Sequence, residues 1–336
     1  MAGQKNSKLK LLYLKEILER YTDENHILNA IEIAEKLEEY GIESERKSIY
    51  KDLDILSDYG MDIVKTRTPK NGVFLASRDW ELAEVRLLFD AVQSADFITK
   101  KKTLKMLDKI ENYTSVYQAK NLRSQVYIDK RNKCTNEEIF YSIDTLDSAI
   151  KNKKMVKLIY SKRKLDEKYT ALTEKKEFTV SPYALIWSND HYYLVANNPK
   201  YDNLMHLRID RMSKVTVLDE NARDFSQVSE YKISFDAADY AEKSFNMFSG
   251  KTQSIELMCN SEILEEMLDR FGERPILKKG ETDNFYIRAE AIVNDGLVSW
   301  IMQFGDKIKV VFPNELAQMV EEKAKGIIAV YSEGKN

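Results

Sequence analysis

The first 76 residues constrain the fold most tightly. Leu9, Leu11-Leu12, Leu14, Ile17-Leu18 and Tyr21 form an apolar stripe at helical spacing. A second, shorter stripe, Ile31, Ile33-Ala34 and Leu37, ends at Tyr40-Gly41, where glycine suits a left-handed cap. Ser44 is then the N-cap candidate of a third helix, with Ile49, Leu53 and Leu56 facing inward and Gly60 closing it. Two β-prone runs, Met61–Arg67 and Val73–Ala76, flank Thr68-Pro69-Lys70-Asn71-Gly72, whose Asn-Gly pair signals a hairpin. Helix, helix, turn, helix, hairpin is the order of a winged helix–turn–helix, here over residues 1–78.

Residues 79–136 read as a helical connector, carried by Leu82, Val85, Leu87-Leu88-Phe89, Val92, Leu104, Leu107 and Ile110. An amphipathic helix through Ile139-Phe140, Ile143, Leu146 and Ala149-Ile150 then leads into short strands at Met155–Tyr160, Glu177–Val180, Tyr183–Trp187, Tyr192–Ala196, Met205–Arg208 and Val215–Leu218. That spacing predicts a small β-barrel within residues 137–222. Residues 250–333 alternate. Ile255–Cys259, Pro275–Lys279, Asn284–Ile292 and Lys307–Phe312 read as strands; Ser261–Phe271, Asp295–Phe304 and Pro313–Tyr331 read as helices. This is the βαββαβ, ferredoxin-like order. With 11 glycines and 5 prolines in 336 residues, long flexible linkers are not expected. The fold class is multidomain α+β.

The formal charge of −3 is unevenly spread. Residues 1–75 hold 12 Lys/Arg against 14 Asp/Glu, residues 100–133 hold 10 against 3, and residues 151–164 hold seven basic residues and no acidic one. From Asp219 onward the count is 14 against 22. Basic blocks of this kind steer polyanions, although each alone reads equally well as a solvated face. No run approaches the roughly 18 apolar residues of a membrane span, so no membrane partner is expected. The start shows no apolar leader pattern. Cys134 and Cys259 lie far apart, and with three histidines they do not make up a zinc ligand set. A cytoplasmic protein without metal or cofactor is the expectation. No Gly-rich phosphate loop or nucleophile–base pair points to an enzyme.

A recognition helix buries one face and projects cations and hydrogen-bond donors from the other into the major groove. In Ser44-Glu45-Arg46-Lys47-Ser48-Ile49-Tyr50-Lys51-Asp52-Leu53, burial of Ile49 and Leu53 sends Arg46, Lys47, Tyr50 and Lys51 outward. Arg46 or Lys47 suits guanine; Ser48, Tyr50 and Lys51 suit phosphate. Lys65, Arg67 and Lys70 of the wing would add backbone contacts. The bland alternative is a surface helix with a basic first turn. The slightly acidic balance of residues 1–75 counts against DNA binding, but the acids cluster on the second helix at Glu32, Glu35, Glu38 and Glu39.

Arg46–Leu53 resembles the "R-x-[ST]-I-Y-[RK]-D-[IL]" recognition helix of bacterial DeoR/YafY-type regulators, which typically carry a WYL domain. The middle of the chain resembles such a domain. Ser181-Pro182-Tyr183-Ala184-Leu185 is similar to its proline-containing strand, His191–Ala196 to the signature that names it, and His206–Met212 to its closing arginine motif. Tyr192 stands where the signature has tryptophan. The resemblance implies an Sm-like β-barrel with a groove for a nucleotide or short single-stranded nucleic acid, followed by a C-terminal WCX-like extension.

Within that groove Arg208 and Arg211 offer planar forks for phosphate. Tyr193, Tyr183 and His191 offer stacking or hydrogen bonds, Ser181 lies on the proline-containing strand, and Lys162 and Arg163 extend the positive surface. Tyr193 reads equally well as core, and Arg211 as an ion partner of Asp210 or Asp219. The expected partners are a double-stranded operator, a nucleotide or single-stranded nucleic-acid effector, and a second copy in a homodimer through the acidic C-terminal domain. The alternative is a single-strand-binding accessory protein that modulates a partner enzyme.

Overall fold

The computed structural model describes residues 2–68, 70–126, 133–166, 170–272, 278–279 and 283–332. Pro69 and Pro275 of the expected turn and strand lie outside them. The chain divides into two compact units, residues 1–135 and 136–336.

The first unit opens with α1 (Ala2–Tyr21), α2 (Ala30–Glu39) and α3 (Arg46–Asp58), followed by the hairpin β1 (Ile63–Thr66) and β2 (Gly72–Leu75). Leu14, Ile17 and Leu18 of α1 are fully buried against Ile33 and Leu37 of α2 and Ile49 and Leu53 of α3. Asn29 caps α2 through the reciprocal box with Glu32. Gly41 and Gly60 take positive φ after α2 and α3. The hairpin is not closed by a two-residue Asn-Gly turn. Thr66 pairs with Gly72, so Gly72 belongs to the strand and the loop is longer. The reason lies on the other edge of β2: Val73 exchanges backbone hydrogen bonds with Leu28 at 2.8 and 3.0 Å, and a Cβ on Gly72 would sit 2.6 Å from the Leu28 carbonyl oxygen.

The connector helices α4 (Leu82–Ser94), α5 (Lys100–Ile110) and α6 (Val116–Ser124) pack around Val85, Phe89, Leu107 and Leu122. They are tied to the head at one buried carboxylate. Asp23 accepts from Ser115 Oγ, the cap of α6, at 2.5 Å and from the Asn25 N–H at 2.9 Å, while its Oδ1 lies 2.7 Å from His26 Nδ1. Burial alone would raise this carboxyl; these partners outweigh it and hold it below the ordinary aspartate value.

The second unit begins with α7 (Ile139–Lys151) and a five-stranded antiparallel sheet: β3 (Lys154–Leu165), β4 (Ala171–Ser188), β5 (His191–Asn197), β6 (Leu204–Arg208) and β7 (Met212–Asn221). Its order is β6-β5-β4-β3-β7. Two strands expected separately are one: β4 pairs with β3 through Val180 and with β5 from Ser181, shifting register between Pro182 and Ala184. Proline lacks the N–H a ladder needs, so the change of partner falls there. The expected barrel does not close. Among the described residues β6 and β7 are sheet edges, joined by the short turn Ile209–Arg211 and not paired with each other.

After α8 (Ala237–Lys243), which sequence periodicity did not signal, come β8 (Lys251–Asn260), α9 (Leu264–Phe271), β9 (Lys278–Lys279), β10 (Asn284–Val293), α10 (Asp295–Met302), β11 (Ile308–Phe312) and α11 (Asn314–Ser332). The antiparallel order β11-β8-β10-β9 is the ferredoxin-like one. Its core gathers Ile255, Leu257, Met267, Ile287, Leu297, Ile301 and Leu316.

Candidate nucleic-acid interface and effector cluster

On α3 the period of 3.6 divides the side chains cleanly. Ile49, Leu53 and Leu56 are buried, while Arg46, Lys47, Ser48 and Lys51 are exposed. Tyr50 is half-buried against the core, with the Arg46 guanidinium 5.7 Å from its ring centroid. Ser48 is committed within the chain: its Oγ accepts from Lys10 Nζ at 2.7 Å, and the same ammonium lies 2.6 Å from Asp52. Ser44 is not the cap. Glu45 occupies that position with no side-chain cap bond, so the N–H groups of Arg46 and Lys47 at the positive end of the helix have no side-chain acceptor.

The wing cations differ among themselves. Lys65 pairs with Asp54 of α3 at 2.8 Å, and Lys70 pairs with Glu32 of α2 at 2.5 Å. Arg67 is exposed on the loop between the strands. One of the acids clustered on α2, Glu32, therefore reaches the wing.

In the second unit, β5 and β6 bring three of the expected effector residues together. Tyr193 lies opposite Arg208 in the ladder, and the His191 ring meets Tyr193 edge-on with centroids 6.2 Å apart. Arg208 forks onto Asp210 through Nε at 3.0 Å and Nη2 at 2.7 Å. Asp210 is thus engaged by Arg208, and Arg211 is exposed on the turn. The Arg208 backbone N–H donates to Tyr160 Oη at 3.3 Å. Burial and then the Arg208 charge push the His191 imidazole below its ordinary value, and its Nδ1 is buried without a hydrogen-bond partner. Burial also raises the Tyr193 phenol.

Three other expected residues lie apart from this cluster. Ser181 Oγ accepts from the Arg223 N–H at 2.9 Å and Tyr183 Oη donates to the Arg223 carbonyl at 2.9 Å, so both fasten the segment after β7. Tyr183 stacks on Phe235, and burial pushes its phenol up to about 12. Arg163 lies on the opposite face of β3 from Tyr160; strand alternation puts Lys162 on the Tyr160 face, with Glu174, Lys176 and Phe178. Tyr160 itself went unread as a site residue, although its alternation with Val156 and Leu158 already marks it as inward-facing.

A cavity of about 670 Å³ elsewhere in the second unit is lined by Leu204, Val228, Tyr231, Tyr240 and Lys251. Many of its polar groups are already used. Tyr231 Oη donates to Asp239, Tyr240 Oη lies 2.8 Å from His206, and Ser249 Oγ donates to the Leu204 carbonyl. Among the described residues no cluster of three potential metal ligands occurs, and no helix is long and apolar enough to cross a membrane.

A winged helix–turn–helix head on a helical connector, a five-stranded sheet with an arginine–aromatic cluster, and a ferredoxin-like α+β domain define a multidomain α+β protein. Comparison with known families makes this specific: residues 142–217 match the WYL domain and residues 254–328 the WCX domain. Both matches fall on segments whose residues resemble these domains. No curated protein matches the chain. Among solved structures it is similar to proteasome accessory factor B/C (PafBC) of Arthrobacter aurescens at 15% identity and a TM-score of 0.27, over 94% of this chain and 45% of that one.

Proposed function

We propose that the chain is a transcriptional regulator that grips duplex DNA with α3 and the wing, acts as a dimer, and senses a nucleotide or single-stranded nucleic acid through its WYL domain. It performs no catalysis in this reading. The observation that carries it is the division of α3: a buried apolar face backs a row of exposed cations at an uncapped helix N-terminus. Backbone N–H groups and Arg/Lys side chains there are the donors phosphate and guanine take. On the effector side, Asp210 occupies the Nε–Nη2 edge of Arg208. The Nη1 edge and the Tyr193 ring remain for an anion carrying an aromatic base.

Fluorescence anisotropy with the duplex upstream of the protein's own gene tests this. Arg46→Ala, Lys47→Ala and Lys51→Ala together should weaken duplex binding at least tenfold. The slope of log K against log salt should shrink by about 0.9 for each phosphate no longer neutralised. Unchanged affinity in the triple variant refutes the assignment. The internal pairing of Lys65 and Lys70 favours the second reading, a single-strand-binding accessory protein, and competition separates the two. A regulator prefers its duplex over single strands; the accessory shows the reverse.

A further inference from the structure

The cavity of about 670 Å³ in the second unit lies apart from the Arg208 cluster. Its walls come from three places. Leu204 opens β6, Ile292 stands near the end of β10, and most of the remainder falls in residues 226–252. That segment runs between the stretches matched to the WYL and WCX domains, so much of the wall belongs to neither.

The floor is apolar and firmly packed. Leu204, Val228, Tyr240 and Ile292 are all buried members of one core cluster, and the half-buried Tyr231 packs against them. Both tyrosine hydroxyls are engaged elsewhere: Tyr231 Oη donates to Asp239 at 2.6 Å, and Tyr240 Oη lies 2.8 Å from His206 Nε2. What they offer the cavity is ring surface, with the two rings inclined at 65° and their centroids 6.4 Å apart. A flat apolar body packs on such a corner through its face and its edge. Ser249 Oγ donates to the Leu204 carbonyl at 2.6 Å, so bonds within the chain already hold two of the walls in place. The volume is that of a small-molecule site.

The rim selects the charge of the occupant. Its two acids are paired within the chain: Asp202 with Arg223 at 2.8 Å and Glu230 with Lys243 at 3.5 Å. Its two lysines are not. Lys232 Nζ donates to the Ser226 and Ser229 carbonyls at 2.7 and 3.4 Å, and Lys251 is exposed; among the described residues neither forms an ion pair. Ammonium groups above an apolar floor favour an anion with a hydrophobic body. A neutral ring or a bare inorganic ion satisfies only half of such a site.

We propose that this cavity is a second ligand site, and that it takes a small organic acid with a flat apolar body, the ring on Tyr231 and Tyr240 and the oxyanion at Lys251 and Lys232. Its walls join β6 to β8 and β10, so an occupant ties the five-stranded sheet to the four-stranded one and stabilises the second unit by mass action. Calorimetric titration and thermal unfolding of the full chain with naphthoate test this, with naphthalenemethanol and inorganic phosphate as controls. Naphthoate should bind in the micromolar to low-millimolar range and raise the melting temperature. Both controls should bind at least tenfold more weakly. Lys251→Ala, at an exposed position, should weaken naphthoate at least fivefold and leave the alcohol unchanged. Thr252→Trp, which places a large ring in the cavity, should abolish naphthoate binding with the circular dichroism spectrum retained. Arg208→Ala should keep the wild-type naphthoate affinity. Absence of saturable naphthoate binding to the wild type overturns the site, as does affinity that survives Lys251→Ala or is lost in Arg208→Ala. Equal binding of naphthoate and either control overturns the ligand class. None of these titrations contains DNA, so their failure leaves the regulator reading intact, and a failure to bind duplex leaves the site standing.

Discussion

His206 faces Tyr240 Oη at 2.8 Å from its Nε2, and burial pushes its imidazole down to about 4 from an ordinary 6.5. The sign of the consequence is fixed. Above pH 6.5 the ring is neutral in folded and unfolded chains alike. Between 6.5 and 4 the unfolded chain takes up the proton and the folded one does not, so stability falls with falling pH. At 1.36 kcal/mol per pH unit the loss approaches about 3 kcal/mol by pH 4. Urea midpoints of the wild type should therefore drop across that window, and those of His206→Gln should drop less. The residual slope belongs in part to His191, held down by burial and by Arg208. Asp23 acts at lower pH, because its depressed carboxyl keeps its contribution until the pH falls below the ordinary aspartate value near 3.8. Equal slopes in wild type and variant would remove His206 from this role. At this scale the sequence was only partly readable. Arg46, Lys47 and Lys51 follow from helical period, whereas the hold of Lys10 on Ser48, the fork of Arg208 on Asp210 and the use of Ser181 by Arg223 depend on residues brought together by the fold.

The wing shows how an element depends on one backbone position. Gly72 lies where β2 runs between β1 and the Leu28 segment, and a methyl group there would press on the Leu28 carbonyl at 2.6 Å and the Ile27 side chain at 2.7 Å. Both neighbours are buried, so neither yields cheaply. Gly72→Ala should cost on the order of 2 kcal/mol of stability, as overpacking does, and should weaken duplex binding by splaying the wing. Thermal unfolding with anisotropy checks both; a variant as stable as wild type would show that the strand yields. The head was legible because its signals are local, namely apolar stripes and the glycines that close the second and third helices at positive φ, whereas the cap of α3 fell on Glu45 and not on Ser44. The long β3–β4 hairpin was not legible, because Lys162, Arg163 and Lys164 break the apolar alternation while the backbone ladder continues to Leu165. Nor was α8, a seven-residue helix carried by its Asp236 cap and one buried tyrosine, Tyr240. The open edges of the five-stranded sheet are equally a matter of tertiary geometry, since strand count alone does not decide closure.

At the scale of the whole molecule, the proposed regulator keeps sensing and gripping separable. The residues proposed to grip lie in the unit spanning residues 1–135 and the cluster proposed to sense in the unit spanning 136–336. A ligand shifts an equilibrium between two conformations only by its difference in affinity for them. Removing the sensing group should then leave the resting grip on DNA untouched and abolish its response. Arg208 is the residue to change, because it alone joins the ladder partner Tyr193, the Tyr160 hydroxyl and the Asp210 carboxylate. Its backbone bonds survive truncation of the side chain, so Arg208→Ala should fold. The full-length variant should bind duplex within about twofold of unliganded wild type, while the change in duplex affinity produced by effector collapses. Allosteric couplings typically amount to 1–3 kcal/mol, a 5–150-fold change in affinity, well within the range of anisotropy titrations with and without a short oligonucleotide. Coupling is reciprocal, so the converse titration must agree: duplex should alter oligonucleotide affinity by the same factor in wild type and by none in the variant. A variant that still responds would place the sensing group away from Arg208. A variant that loses duplex binding altogether would mean that this arginine supports the gripping state itself.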